Sequence, residues 1–336
     1  MSAAAPPSAE GPSGLLSIVL LAYQSEERLR SAVEEVVRSM EAERIPFELI
    51  IMDDGSADRS FELAKRLAEK DDRIRAFRLS RHYSSPYSLF AGLSVARGAC
   101  VTSVPDDRQC PMNVIVEMYR LWEQGNKVVV AHRRTRDDGR VSDFFSNLYW
   151  RIINQFSDVA FPPGGSDRFL ADREVVDILN SRIHPINTTP VLEVLRLGFS
   201  PVFVPYDRPA RPGRSRWTLR KKVRLAAATF FGSSSYPLRL ITVLGLGIFV
   251  ACLFLIALIV WARVFAESRL FGLATHGWAT SMVVMTMFNG LILFSMGIVA
   301  EYIWRIHEEV KGRPGFIIRS AGDDDFENDD PEAESP

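Results

Sequence analysis

Cysteine is scarce in this sequence: Cys100, Cys110 and Cys252 are the only three, and they have neither C-x-x-C nor metal-ligand spacing. An odd, scattered set excludes a disulfide framework and a structural zinc site, and predicts reduced, mostly buried thiols. The two commonest nucleotide signatures are also missing. No G-x-G-x-x-G follows the first strand pattern, and no G-x-x-x-x-G-K-[ST] occurs anywhere, which argues against dehydrogenase and P-loop readings. The opening residues 1–14 are rich in Ala, Pro, Ser and Gly without a positive n-region, and the apolar run 15–23 has only nine residues, so no cleaved signal peptide is expected. Net charge is nearly absent too, with 40 basic against 41 acidic residues. That balance hides an asymmetry. Setting aside residues 321–336, which hold eight acids and no base, turns the net −1 into +7. A basic remainder suits a membrane surface, a nucleic acid or an anionic substrate, and only the placement of the charges distinguishes them.

With 47% hydrophobic and 24% charged residues over 336 positions, the chain can bury a substantial core, which excludes a disordered protein. Residues 240–262 and 278–300 are two uncharged runs of 23, each matching the roughly 20 residues that cross a hydrocarbon layer of about 30 Å. Trp261 closes the first run and Trp278 opens the second, like interfacial anchors. A cluster including Arg220, Lys221, Lys222 and Arg224 precedes the first run, and Arg305, Lys311 and Arg313 follow the second. The positive-inside rule then predicts a membrane hairpin with both termini cytoplasmic.

Before these runs, strand and helix patterns alternate. Residues 15–23, 47–52, 74–79, 100–104 and 128–131 read as strands; 26–43, a helix after Asp58, 89–97 and 114–123 read as helices. Alternation of this kind predicts an α/β fold with a mostly parallel sheet covered on both faces. After residue 131 the alternation stops. Residues 140–156 read as an aromatic-rich helix, 169–180 as a short strand or helix, and 202–205 as a late strand. The tail from Asp323 is low-complexity and predicted disordered.

Ligands of such sheets sit beyond the carboxyl ends of the strands. Tyr23, Asp53, Asp54, Arg81, Asp106, Asp107, Arg133 and Arg134 all lie just past a strand end and are expected to line one crevice. Asp53-Asp54-Gly55-Ser56 alone reads equally well as a turn feeding a helix. Its partner, Pro105-Asp106-Asp107-Arg108-Gln109-Cys110-Pro111, is a second acidic turn, and two such turns at one edge suit a divalent ion bridging a diphosphate.

In order and spacing, SIVLLAYQSEERL, IIMDDGSADRS, SLFAGLSVARG, PDDRQCP, GGSDRFLADREVVD and YDRPARPGRSRWTLRKK resemble blocks of the membrane-bound family 2 glycosyltransferases of the polyisoprenyl-phosphate type, such as dolichol-phosphate mannose synthase. The resemblance spans about residues 16–316. It implies a GT-A nucleotide-sugar domain over 15–213, after a disordered 1–14. A basic juxtamembrane segment over 214–238, a two-helix hairpin over 239–304 and a cytoplasmic tail over 305–336 would follow. It also implies transfer of a hexose, with UDP-glucose as the family-weighted donor, to polyprenyl phosphate with inversion at the anomeric carbon. Ala22, Tyr23, Asp53, Asp54, Arg81, Asp106 and Gln109 would bind the nucleotide sugar, and Asp107 the Mg²⁺ or Mn²⁺. Pro105 departs from the pattern by replacing the first acid of the family's D-x-D-x-Q.

Asp167 falls on the family's G-D-F-R-L aspartate and would position the acceptor. Strong base catalysis is not needed, because a phosphate nucleophile is already largely ionised near neutrality. Arg208, Arg211 and Arg216 would grip the lipid phosphate, Arg211 with a catalytic share, while Lys221, Lys222 and Arg224 would anchor headgroups. The lipid bilayer is thus an expected partner, nucleic acid is not, and a homo-oligomer is compatible with the resemblance. Competing readings are a processive polysaccharide synthase, transfer to another lipid such as diacylglycerol, and a non-catalytic membrane scaffold. The synthase signature Q-x-x-R-W is broken here, since Gly213 stands at the Gln position before Arg216-Trp217.

Overall fold

The structure is a computed structural model. It describes residues 14–108, 110–133, 166–186, 188–207 and 277–319, with seven further positions between 241 and 254. Two compact units divide the chain, one of Met1–Lys222 with Arg313–Pro336 and one of Val223–Gly312.

In the first unit the elements run β1 (Leu16–Ala22), α1 (Leu29–Ala42), β2 (Phe47–Asp53), α2 (Ser60–Ala68), β3 (Ile74–Leu79), α3 (Ser85–Val95), β4 (Cys100–Pro105), α4 (Met112–Glu123) and β5 (Val128–Arg133). They continue with β6 (Ser166–Asp172), α5 (Arg173–Arg182), α6 (Pro190–Arg196), β7 (Val202–Tyr206) and β8 (Ile318–Arg319). The eight strands form one sheet in the order β7-β5-β6-β4-β1-β2-β3-β8. β1 pairs in parallel with β2 and β4, β2 with β3, and β5 with β7. Every residue of β2 is buried, as expected of a parallel strand covered on both faces.

Two cores lie on opposite faces of this sheet. α1 and α4 supply Leu29, Val36, Met40, Ile115 and Met118 to one, and α3 and α5 supply Phe90, Leu93, Val175 and Leu179 to the other. At Gly92 a Cβ would stand 2.3 Å from Val19 Cγ1, so α3 can approach β1 this closely only without a side chain there.

The predicted strands β1 to β5 appear within two residues of their expected ends. α3 begins at Ser85, four residues earlier than its apolar pattern suggested, because Pro86 fits the first helical turn and its first turn is not apolar. The region after residue 131 departs from simple alternation. β6 runs antiparallel between β4 and β5, and within 169–180 the chain forms both the end of a strand and a helix. At its entry the register shifts, with Ala131 opposite Arg168 but His132 opposite Ser166, so Asp167 is the extra residue of a bulge. α6, only seven residues long, was not legible in the pattern. Neither was β8, where the start of the tail pairs antiparallel with β3 and Ser80 N–H donates to Ile317 C=O at 2.9 Å. The expected helix over 140–156 and the acidic tail from 323 lie outside the described residues. Cys100 and Cys110 are buried thiols, as predicted.

The second unit contributes α7 (Gly277–Val310), a continuous helix of 34 residues. Counted over the described residues alone, no helix is long and apolar enough to cross a membrane, so the expected pair of spans is not found among them. The first predicted span, 240–262, is described at seven positions, all helical. The second coincides with α7, whose side chains are described only in part.

Candidate active site

Three loops leaving the carboxyl ends of β1, β2 and β3 interlock. After β1 the chain turns through Gln24 at φ 48°, and Gln24 N–H donates to Ser56 Oγ at 2.9 Å. After β2, Asp54 N–H donates to Ala22 C=O at 2.9 Å. Gly55 at φ 66° brings this turn against the backbone of Arg81, where a Cβ would lie 2.5 Å from the Arg81 carbonyl carbon. Ser84 at φ 91° and Arg108 at φ 51° continue the pattern after β3 and β4. Left-handed non-glycine residues persist where their surroundings enforce them, and such sites cluster at functional loops.

The two carboxylates of the first acidic turn are engaged within the protein. Asp53 is fully buried, accepts from Ser56 N–H at 3.1 Å and from the Ser56 hydroxyl, and faces Arg78 at 3.5 Å. Burial pushes its carboxyl pKa up, against the pull of Ser56 and Arg78. Asp54 accepts from Tyr83 N–H at 2.8 Å and Ser84 N–H at 2.9 Å, and its Oδ2 lies 2.9 Å from His82 Nδ1. These contacts fix the loop after β3, which carries the exposed groups. The Tyr23 and His82 rings stack at 4.1 Å, and the Arg81 guanidinium lies 4.1 Å from the centre of the Tyr83 ring. An aromatic shelf flanked by a guanidinium results, a surface suited to a planar, anionic ligand.

Past β4, Asp106 is engaged as well. Its Oδ2 accepts from the Ser25 hydroxyl and from Arg28 Nε at 3.1 Å and Nη2 at 2.6 Å. This ion pair ties the loop after β1 to the second acidic turn. Asp107 follows in a partly exposed position, and Gln109 lies outside the described residues. Among the described residues no group of three His, Cys, Asp or Glu could hold a metal ion. With Pro105 supplying no carboxylate and Asp106 taken by Arg28, the donor set fits a divalent ion that draws one carboxylate from Asp107 and its remaining ligands from phosphate and water, as Mg²⁺ commonly does.

The other expected residues are only partly placed. Asp167 sits in the β6 bulge at the carboxyl edge of β5, and bulges next to active sites re-aim side chains. Arg133 ends β5 at the same edge, while Arg134, Arg208, Arg211 and Arg216 lie outside the described residues. Sequence reading missed Ser25, Arg28 and His82. His82 carried a usable signal in its place one residue past Arg81. Arg28 carried none, because its partner is 78 positions away.

Residues 17–173 match the family model described as Glycosyl transferase family 2. A bactoprenol glucosyl transferase of Shigella flexneri is 29% identical over 309 residues, covering 91% of this chain and 98% of that protein. An uncharacterized glycosyltransferase of Synechocystis is 28% identical over 306 residues, covering 90% and 94%. Among solved structures, mannosyl-3-phosphoglycerate synthase from Rubrobacter xylanophilus is 20% identical, covering 78% of this chain and 77% of that one at a TM-score of 0.44. The matched segment runs from β1 to the start of α5 and carries both acidic turns and the β6 bulge, so this part of the chain is similar to glycosyl transferase family 2.

Proposed function

We propose that this enzyme transfers a hexose, with UDP-glucose the first donor to test, to a polyprenyl phosphate at the cytoplasmic face of a membrane. The observation that carries the reading is coverage. Relatives named bactoprenol glucosyl transferase match the chain over 91% of its length, catalytic and helical units together. The basic stretch around 208–224 and the uncharged runs 240–262 and 278–300 support a lipid acceptor and a membrane hairpin. α7 adds length, since 34 residues span about 51 Å as a helix, against a hydrocarbon layer of about 30 Å. The domain division expected from the sequence, with both termini cytoplasmic, belongs to the same reading.

In the proposed reaction an oxygen of the acceptor phosphate attacks the anomeric carbon from the face opposite the nucleotide. The bond from that carbon to the diphosphate breaks, its electron pair leaves with the nucleoside diphosphate, and the configuration inverts. No proton need be removed from an ionised phosphate, so Asp167 is assigned to orienting the acceptor. The Tyr23–His82 shelf and Arg81 hold the nucleotide, and the Arg28–Asp106 pair sets the spacing between the donor loop and Asp107. Asp107 would hold a divalent ion, which when bound supplies positive charge against the departing diphosphate. Arg208, Arg211 and Arg216 would hold the acceptor phosphate by charge-assisted hydrogen bonds.

Membranes containing the protein, given radiolabelled UDP-glucose, UDP-galactose, UDP-N-acetylglucosamine or GDP-mannose with undecaprenyl phosphate, test this directly. One donor should give an organic-extractable product that disappears on chelation. Label from every donor remaining in the aqueous phase would overturn the reading.

A further inference from the structure

Arg168 lies outside the residues assigned above. It follows the bulge at Asp167 and stands opposite Ala131, two residues before the end of β5. Strand alternation puts it on the same face as Leu170, in the core shared with Val104, Ala131 and Tyr206. Its relative exposure is 9%, and the partner the structure gives it is the Tyr206 hydroxyl, which accepts from Nη1 at 3.1 Å. A guanidinium carries five N–H donors in a planar fork and is always charged. Among the described residues no carboxylate pairs with Arg168. Of the carboxylates flanking this strand, Asp106 is taken by Arg28 and Ser25, while Asp172 accepts from Trp122 Nε1 and Glu174 N–H. A buried cation without a counter-charge is costly, and a ligand anion removes that cost.

We propose that Arg168 is a phosphate-binding residue of the crevice, its fork held by Tyr206 and closed by a phosphoryl group when substrate enters. The assignment rests on the glycosyl-transfer reading, in which the donor carries a diphosphate and the acceptor a phosphate, and Arg168 can serve either. Bidentate geometry suits a guanidinium on two phosphoryl oxygens, whereas a point charge at the same place makes one contact. The bulge is the device that places it: the extra residue at Asp167 shifts the β6 register just before Arg168, at the carboxyl edge of β5.

The test uses the purified full-length protein in detergent, as wild type, Arg168→Met, Arg168→Lys and Tyr206→Phe. Binding of UDP, inorganic pyrophosphate and farnesyl phosphate is measured by calorimetry, beside the ligand-free melting temperature. Arg168→Met should melt no lower than wild type, because an apolar chain replaces a buried charge that no described carboxylate neutralises, and should bind at least one probe more weakly by on the order of tenfold or more. Arg168→Lys should retain part of that affinity. Loss confined to UDP and pyrophosphate assigns the donor diphosphate, and loss confined to farnesyl phosphate assigns the acceptor. A ligand-free melt far below wild type in both Arg168 variants, or unchanged affinity for all three probes, would overturn the proposal. If Arg168→Met fails to fold, Arg168→Lys decides on affinity alone. Wild-type protein that binds pyrophosphate through Arg168 yet transfers no sugar would sink the reaction and leave the anion site standing.

Discussion

In the sheet-bearing unit, the large apolar side chains that reach the surface among the described residues are Tyr23, Phe203 and Ile317. Among the described residues of the unit Val223–Gly312 there are twelve, from Val299 at 42% exposure to Val310 at 78%. The first unit buries its apolar residues against its own sheet and holds buried polar groups such as Glu48 by hydrogen bond and ion pair, here with Ser17 and Arg75. The second places apolar side chains outward along a helix in which Leu293, Met296 and Ile303 are all more than 60% exposed. Extended exposed apolar surface marks a membrane or a partner rather than water. The same hydrophobic composition is thus arranged two ways in one chain, turned into a core in one unit and outward along the described part of a helix in the other.

Asp107→Ala tests the chemistry of the first unit and should have the largest effect. A fall in kcat on the order of 10²–10³-fold is expected from loss of one electrostatic stabiliser, with the melting temperature close to wild type, read from product formation and thermal melts. Leu293→Arg tests the solvent assigned to the second unit. In water an exposed leucine tolerates arginine within about 0.5 kcal/mol, whereas near a bilayer centre the change costs about 2.5–3.5 kcal/mol. Membrane fractionation should show loss of integration, and unchanged partitioning would break the comparison.

Gly92→Ala probes the internal core. A methyl group placed 2.3 Å from Val19 forces α3 away from β1, and about 1–3 kcal/mol of destabilisation is expected in a denaturant melt. Arg28→Ala has the smallest effect on stability, at most about 1 kcal/mol for a partly exposed pair. Its signature should be kinetic, a several-fold rise in the donor KM with kcat less changed. Equal losses in Arg28→Ala, Asp106→Asn and the double variant would show the pair acting as one unit.

The parallel core was legible because each strand is a short, continuous apolar run followed by a turn, and the physical cause of that pattern, burial on both faces, operates locally. β6, α6 and β8 were less so. β6 is interrupted by a bulge and two charged residues at its entry, α6 is too short to show a period, and β8 is a two-residue edge strand whose Ile318 pairs with Leu79, 239 positions away. At the site, proximity to strand ends correctly brought the loops bearing Tyr23, Asp54 and Arg81 together. It did not reveal that Asp53, Asp54 and Asp106 would be engaged by neighbouring loops, because those partners lie 3 to 81 residues away and only the fold selects among them.

The central claim is transfer to a lipid phosphate. Purified full-length enzyme, incubated with undecaprenyl phosphate and the donor active in membranes, should yield a lipid whose mass exceeds the acceptor's by one anhydrohexose unit, with Asp107→Ala yielding none. Free hexose from transfer to water, or glycosylated diacylglycerol in place of the phosphate-linked lipid, would contradict the account.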